Sequence, residues 1–294
     1  MAKSRTSKNA AAVNFSFDAA AAFETKLTAG PERVLQLGFV LLPDDHPRPR
    51  EGITYPVVSA SSGEVGAVPV PQTSFRRMHL DLYEFFIDDM PDFFIAKNNE
   101  GLLKVAVTTK NPKDLDGGSF EVTVVNEFRG RPNSYAPKFL YRGICRNILL
   151  EEWVNIKFEL YERDTDSSEY YERIKGVIDK VPDIKNLNIL MGIPYLNLAS
   201  RLFDGIITTF GRNPDDHLWG ELPIMEVDPT PGGAFLRTGI YVLAERTNSK
   251  KETIPLSSLK YKDGHVILGK TTNGVKRLSN HLIFGVKVVE HVLA

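Results

Sequence analysis

Apolar and polar residues alternate along much of the chain, most strictly between Val154 and Tyr161. One side of this segment carries Val154, Ile156, Phe158 and Leu160, and the other carries Asn155, Lys157, Glu159 and Tyr161. A period of two predicts a β-strand with one buried face and one solvated face. The segment runs into a loop rich in side-chain oxygen atoms, residues 164–168.

The same alternation recurs on both sides of this central strand. It predicts further strands over residues 34–42, 78–87, 103–107 and 120–124. A fully apolar run predicts a strand over residues 239–244, and two more strands are predicted over residues 265–268 and 282–293. Between Leu82 and Phe85 the apolar phase shifts by one residue, which predicts a β-bulge near Tyr83 and Glu84. The pair Asp263-Gly264 predicts a tight hairpin turn before His265.

After residue 168 the apolar period changes to that of a helix. Ile174, Val177 and Val181 share one helical face, and a second helical pattern ends near Gly211. The predicted fold class is therefore mainly β: an antiparallel β-sandwich or jelly-roll with a two-helix insertion at about residues 168–211.

Three regions follow from this pattern. Residues 1–30 are predicted to form a flexible basic arm with a short helix, and residues 31–221 the sandwich with its insertion. Residues 222–294 are predicted to form either a C-terminal β subdomain or strands added to the main sheets.

Composition narrows the class of protein. A hydrophobic fraction of 42% and a net charge of −1 are typical of a globular protein and give no strong signal for nucleic acid. The single cysteine, Cys145, excludes an internal disulfide and a multi-cysteine zinc site. No apolar run is long enough to span a membrane and no secretory signal is recognisable, so the expected compartment is the cytoplasm.

Catalytic motifs are scarce. Residues 264–271 match the phosphate-loop spacing G-x-x-x-x-G-K-[ST], but the four interior residues favour a strand, so we interpret the match as a hairpin. The six histidines lie far apart in the sequence, with no two at metal-ligand spacing. The sequence therefore favours a non-enzymatic protein.

Clustered aspartates follow two of the predicted strands. They are Asp88, Asp89 and Asp92 after one strand and Asp164 and Asp166 after the central strand. Calcium takes six to eight oxygen ligands, so carboxylates from separate loops would have to converge to bind it. The alternative is structural, because aspartate is a common turn residue and Asp166 is also suited to cap a helix.

Strands that end in such aspartate loops resemble the calcium-binding edge of C2 domains, over roughly residues 75–170. The resemblance implies a β-sandwich that docks on acidic phospholipid through bound Ca²⁺. It implies that Asp88 or Asp89 with Asp92 form one ligand loop, and Asp164 with Asp166 another.

A second candidate surface is basic and aromatic, and consists of Arg129, Arg131, Tyr135, Lys138 and Arg142. Such residues bind acidic surfaces, although they also occur on the wet faces of ordinary strands. We therefore predict a binding or targeting module for a protein partner or an acidic membrane surface, with Ca²⁺ as a candidate ligand. The alternative is a self-associating coat or particle protein that uses its basic arm and the Pro/Gly/Ser-rich residues 46–72.

Overall fold

Two β-sheets make up the part of the chain that the structure describes. The computed structural model describes residues 34–43, 48–61, 74–88, 99–110, 119–137, 139, 141–150, 153–162, 217–219, 225–226, 234–269, 275 and 277–292. Within these ranges the strands are antiparallel neighbours, except for one short parallel pair in the second sheet. The mainly β, antiparallel part of the predicted fold class is confirmed.

The first sheet has nine strands. They are β1 (Leu35–Val40), β2 (Thr54–Ser59), β3 (Ser74–Ile87), β6 (Ser134–Tyr135), β7 (Tyr141–Leu150), β12 (Gly239–Glu245), β13 (Leu259–Lys262), β14 (His265–Leu268) and β15 (His281–Val292). Their order is β14-β13-β2-β1-β12-β15-β3-β6, with β7 also paired to β3. Strands from the end of the chain, β12 and β15, thus lie in the middle of this sheet.

The second sheet has six strands. They are β4 (Asn99–Lys110), β5 (Ser119–Gly130), β8 (Trp153–Glu162), β9 (His217–Trp219), β10 (Met225–Glu226) and β11 (Ala234–Phe235). Their order is β11-β10-β8-β4-β5, with β9 also paired to β8. The predicted central strand is β8, and Val154, Ile156, Phe158 and Leu160 are fully buried, as predicted.

The first sheet is buried on both faces. Along β15, Leu282 and Phe284 belong to a core shared with the second sheet, whereas Ile283 belongs to a second core on the opposite face. Burial on both sides explains why β12 reads as an unbroken apolar run rather than as an alternation.

The first sheet curls until its two ends meet. Tyr135 of β6, at one end, reaches Val266 of β14, at the other. The amide of Val266 donates to the Tyr135 hydroxyl over 2.9 Å. The second core therefore lies inside the curl, enclosed by side chains such as Tyr55, Val242 and Leu259.

The predicted bulge is present in β3. Ile283 pairs with Glu84 and Phe284 pairs with Leu82, so Tyr83 is the extra residue. The bulge returns Phe85 to the first core, beside Leu82. Gly285 lies under the Tyr83 side chain, where a Cβ atom would collide with the Tyr83 hydroxyl.

The predicted hairpin turn is also present. Asp263 and Gly264 both have positive φ, 50° and 92°, as a two-residue turn between β13 and β14 requires. Because residues 265–268 form β14, the phosphate-loop spacing there belongs to a hairpin.

The two-helix insertion is the part of the predicted fold class that is wrong. The described part of the chain contains no α-helix and only one 3-10 turn, Leu256–Ser258. Helical spacing is a local signal that contains no information on tertiary packing, and it misled the prediction here. Residues 168–211 themselves lie outside the described ranges, as does the N-terminal arm.

Within the same described ranges, no helix is long and apolar enough to cross a membrane.

Candidate functional site

Asp88, the first of the predicted calcium ligands, lies at the end of β3 and is only 1% exposed. The Ser249 amide donates to its Oδ2 over 2.5 Å, and the Ser249 hydroxyl donates to Oδ1 over 3.1 Å. Arg277 donates to the same Oδ1, and also to the Asp88 carbonyl over 2.9 Å. Protein donors thus surround both carboxylate oxygens.

Asp89, Asp92, Asp164 and Asp166 lie outside the described residues. The calcium site therefore stays a prediction, and a ligand set that excludes Asp88 would rest on these four. Within the described ranges, no three His, Cys, Asp or Glu side chains are grouped as a metal site.

The hydrogen bonds around Asp88 extend to the second sheet. Asn280 accepts from the Asp88 amide over 2.7 Å and donates to Glu245 Oε1 over 3.1 Å. The indole of Trp219, in β9, donates to the same Glu245 oxygen over 2.8 Å. We call Asp88, Ser249, Arg277, Asn280 and Glu245 the carboxylate network. It joins three segments of the chain, so its geometry indicates a structural role.

The residues of the predicted basic surface that the structure describes come from three strands and one turn. Arg129 is the penultimate residue of β5, Arg131 is exposed in the following turn, and Arg142 is the second residue of β7. Lys138 lies outside the described residues. Tyr135 is part-buried and packs against the second core, so its side chain belongs to the interior more than to a basic surface.

Tyr135 instead belongs to a cluster with two histidines. Its hydroxyl lies 3.2 Å from His281 Nε2 and 3.2 Å from the Val266 carbonyl oxygen. The ring of His265 lies 4.5 Å from that of Tyr135, and His265 Nδ1 lies 2.9 Å from Glu84 Oε2. We call Tyr135, His265, His281 and Glu84 the tyrosine–histidine cluster.

Burial shifts the pKa values of two members of this cluster, His281 and Tyr135. It lowers the pKa of His281 from 6.5 to about 4, an effect that the Ser279 carbonyl opposes and the nearby His265 reinforces. Burial likewise raises the pKa of the Tyr135 hydroxyl well above its usual range, against the effect of its hydrogen bonding with Val266. Both groups are therefore neutral at pH 7.

Sequence reasoning did not find this cluster. His265 and His281 are separated by 16 positions, and Tyr135 is more than a hundred residues away. The only local signal was the Asp263-Gly264 pair, which predicts the turn before β14 but not the contact between β14 and Tyr135 of β6. The curl of the sheet brings the three rings together.

Strand β5 is the last of the described strands at one end of the second sheet. Among the described strands it pairs with β4 alone, in register from Lys110 opposite Ser119 to Asn99 opposite Gly130. Its twelve residues contain neither proline nor lysine, two residues that commonly block such edges.

The single cysteine is a free thiol in the interior. Cys145 is 1% exposed, and burial raises the pKa of its thiol to about 12. A thiol in that state is neither ionised nor accessible.

Comparison with protein-family models, curated proteins and solved structures gives no match for this chain.

Proposed function

We propose that this protein is a non-enzymatic binding module that accepts an extended segment of a partner protein as an added strand beside β5. The observation that carries the proposal is the long edge: twelve residues that pair on one side with β4 and, among the described strands, on the other side with none. An edge strand presents a row of backbone donors and acceptors that a second chain can satisfy.

The neighbours of β5 support this role because they hold the edge rigid. β4 pairs with β5 along its whole length and with β8 from Gly101 to Thr109. Leu103, Val105 and Val107 of β4 are fully buried in the first core. At roughly 3.4 Å per residue, β5 offers about 40 Å of edge.

The register also indicates what the partner segment contains. In register, Val122 and Val124 lie opposite Val107 and Val105, and Phe128, in the same alternating phase of β5, is buried in the first core. The other phase includes Glu121 and Glu127. A partner strand that alternates apolar residues with Lys or Arg would complement both phases.

Binding to a displayed library of ten-residue peptides tests the proposal, with amide hydrogen exchange to locate the site. We expect selected peptides to show period-two alternation and to protect every second amide of β5. Thr123→Lys should weaken binding at least tenfold, because lysine obstructs strand addition at an edge. The matched control is Thr253→Lys, at an exposed position between β12 and β13.

Equal binding by the two variants, or protection confined to other strands, would show that β5 is not the site. Protection of β5 that appears only as the protein concentration rises would instead identify a second copy as the occupant. That result would favour the assembly function over the binding module.

A second candidate function is calcium-assisted docking on an acidic membrane. It depends on a C2-like arrangement of the aspartates rather than on the edge of β5. We expect Ca²⁺, but not Mg²⁺, to raise the melting temperature of the wild-type chain and not that of Asp164→Asn. Ligand at a hundredfold excess over Kd stabilises a folded protein by about 2.7 kcal/mol, which is several degrees for a domain of this size. An unchanged melting temperature would leave the aspartates as turn and capping residues.

The single, buried Cys145 is consistent with a reducing compartment such as the cytoplasm.

A further inference from the structure

The two ends of the curled sheet meet at the tyrosine–histidine cluster. β14 is a short strand of four residues, and Tyr135 lies on the two-residue strand β6. At this junction the Tyr135 hydroxyl takes the place of a neighbouring strand, because it both accepts from the Val266 amide and lies 3.2 Å from the Val266 carbonyl. A single side chain therefore satisfies the edge of β14 at Val266.

His281 contacts the same hydroxyl through its Nε2 atom. Its Nδ1 lies 2.8 Å from the Ser279 carbonyl, which can only accept, so Nδ1 carries the proton and Nε2 is the acceptor facing Tyr135. The ring is stacked on Phe86 at 4.9 Å and is 1% exposed. The neutral ring is thus held on two sides by hydrogen bonds and on one face by an aromatic ring.

The ionisable groups around His281 do not neutralise a charge on it. β6 contributes Tyr135, β14 contributes His265, and β12 contributes the apolar Ala244 as the register partner. Glu84 of β3 is the nearby carboxylate, but it faces His265 at 2.9 Å. Tyr261 of β13 adds to the rise in the pKa of Tyr135. Tyr261 is itself neutral, because burial raises its own pKa to about 12.

A proton on His281 would make Nε2 a donor to the Tyr135 hydroxyl and free the hydroxyl proton for the Val266 carbonyl, so the cluster would gain one hydrogen bond. That gain is smaller than the loss of hydration of a fully buried cation that has no anion in contact among the described residues. An opened junction, where water reaches the ring, accommodates the proton more easily.

We propose that Tyr135, His281, His265 and Glu84 form an acid-sensitive latch that holds β6 against β14 and keeps the curled sheet closed at neutral pH. Acid opens the latch by favouring the state in which His281 is hydrated. Opening uncovers the edge of β14 at Val266 and the adjoining part of the second core. This inference does not depend on the proposed function of β5.

The direction of the pH dependence follows from the two states of His281. In the open junction the ring titrates near its ordinary pKa of 6.5, and in the closed junction near 4. The open state therefore takes up the proton first as the pH falls below 6.5, and the closed state loses stability until about pH 4. Above pH 6.5 the latch is insensitive to pH.

Hydrogen exchange of the Val266 amide in the full chain tests the latch. After correction for the intrinsic exchange rate, we expect its protection to fall about 20-fold between pH 7 and pH 5. His281→Gln should abolish this pH dependence, because glutamine can accept from Tyr135 and does not titrate. His79→Gln, a half-buried histidine of β3 outside the cluster, is the matched control and should retain the 20-fold loss.

Protection of Val266 that does not change between pH 7 and pH 5 in the wild type would overturn the proposal. The same acid-induced loss in His281→Gln would overturn it as well. If that variant does not fold, NMR titration of the His281 ring in the wild type decides the matter: a midpoint well below 6.5 supports the latch, and an ordinary midpoint near 6.5 contradicts it.

Discussion

Phe284→Ala is expected to lower the free energy of unfolding by about 4 kcal/mol, as truncation of a fully buried aromatic ring does. Phe284 is fully buried on β15 and belongs to the core between the two sheets. Its ring lies 4.9 Å from that of Phe158 in the second sheet and 5.2 Å from that of Tyr241 in the first. The truncation removes both ring contacts and leaves a cavity that the strands cannot easily fill.

Equilibrium unfolding in urea measures this effect, with Ile267→Ala as the control. Ile267 is a β-strand residue of the first sheet that is 36% exposed, so its truncation should cost under about 1 kcal/mol. Similar losses for the two variants would contradict the assignment of Phe284 to the contact between the sheets.

Asp88→Ala is expected to lower the free energy of unfolding by about 3 kcal/mol. The substitution leaves the Arg277 guanidinium and the Ser249 amide without the acceptor that the structure places between them. The Arg277 side chain is 28% exposed, so water compensates it in part, and this keeps the expected loss at the lower end of the range for a buried pair.

A double-mutant cycle with Arg277→Ala isolates the pair. We expect a coupling energy of about 1–3 kcal/mol, because the two groups form one hydrogen-bonded unit. The cycle also separates a structural Asp88 from a calcium ligand: the structural role predicts the same loss in Ca²⁺ and in chelator. A loss confined to Ca²⁺ would make Asp88 a metal ligand and contradict the carboxylate network.

Glu159 shows that a residue on the polar face of a strand can still be buried by the fold. Its position in the alternating pattern predicts a solvated side chain, yet Glu159 is 5% exposed. Lys104 and Lys157 lie 3.4 Å and 2.7 Å from its carboxylate oxygens. Periodicity indicates which face of a strand a residue occupies, but not whether that face is covered.

Local patterns alone identified strands β1, β3, β4, β5, β8, β12 and β15, and the hairpin strand β14. Alternation placed β8 and the buried positions on it, since a pleated strand turns successive side chains to opposite faces whatever its partners are. The phase shift revealed the bulge at Tyr83, and Asp263-Gly264 revealed the hairpin, because both depend on residues adjacent in the chain.

Only the tertiary structure decided which of these elements meet. Asp88 contacts Arg277, which is 189 positions away in the sequence, and Tyr135 contacts His281, which is 146 positions away. Such contacts depend on strand order and on the curl of the first sheet, which are set by the packing of many distant side chains together. These strands were therefore determined by short-range sequence, whereas the carboxylate network and the tyrosine–histidine cluster exist because of long-range pairing.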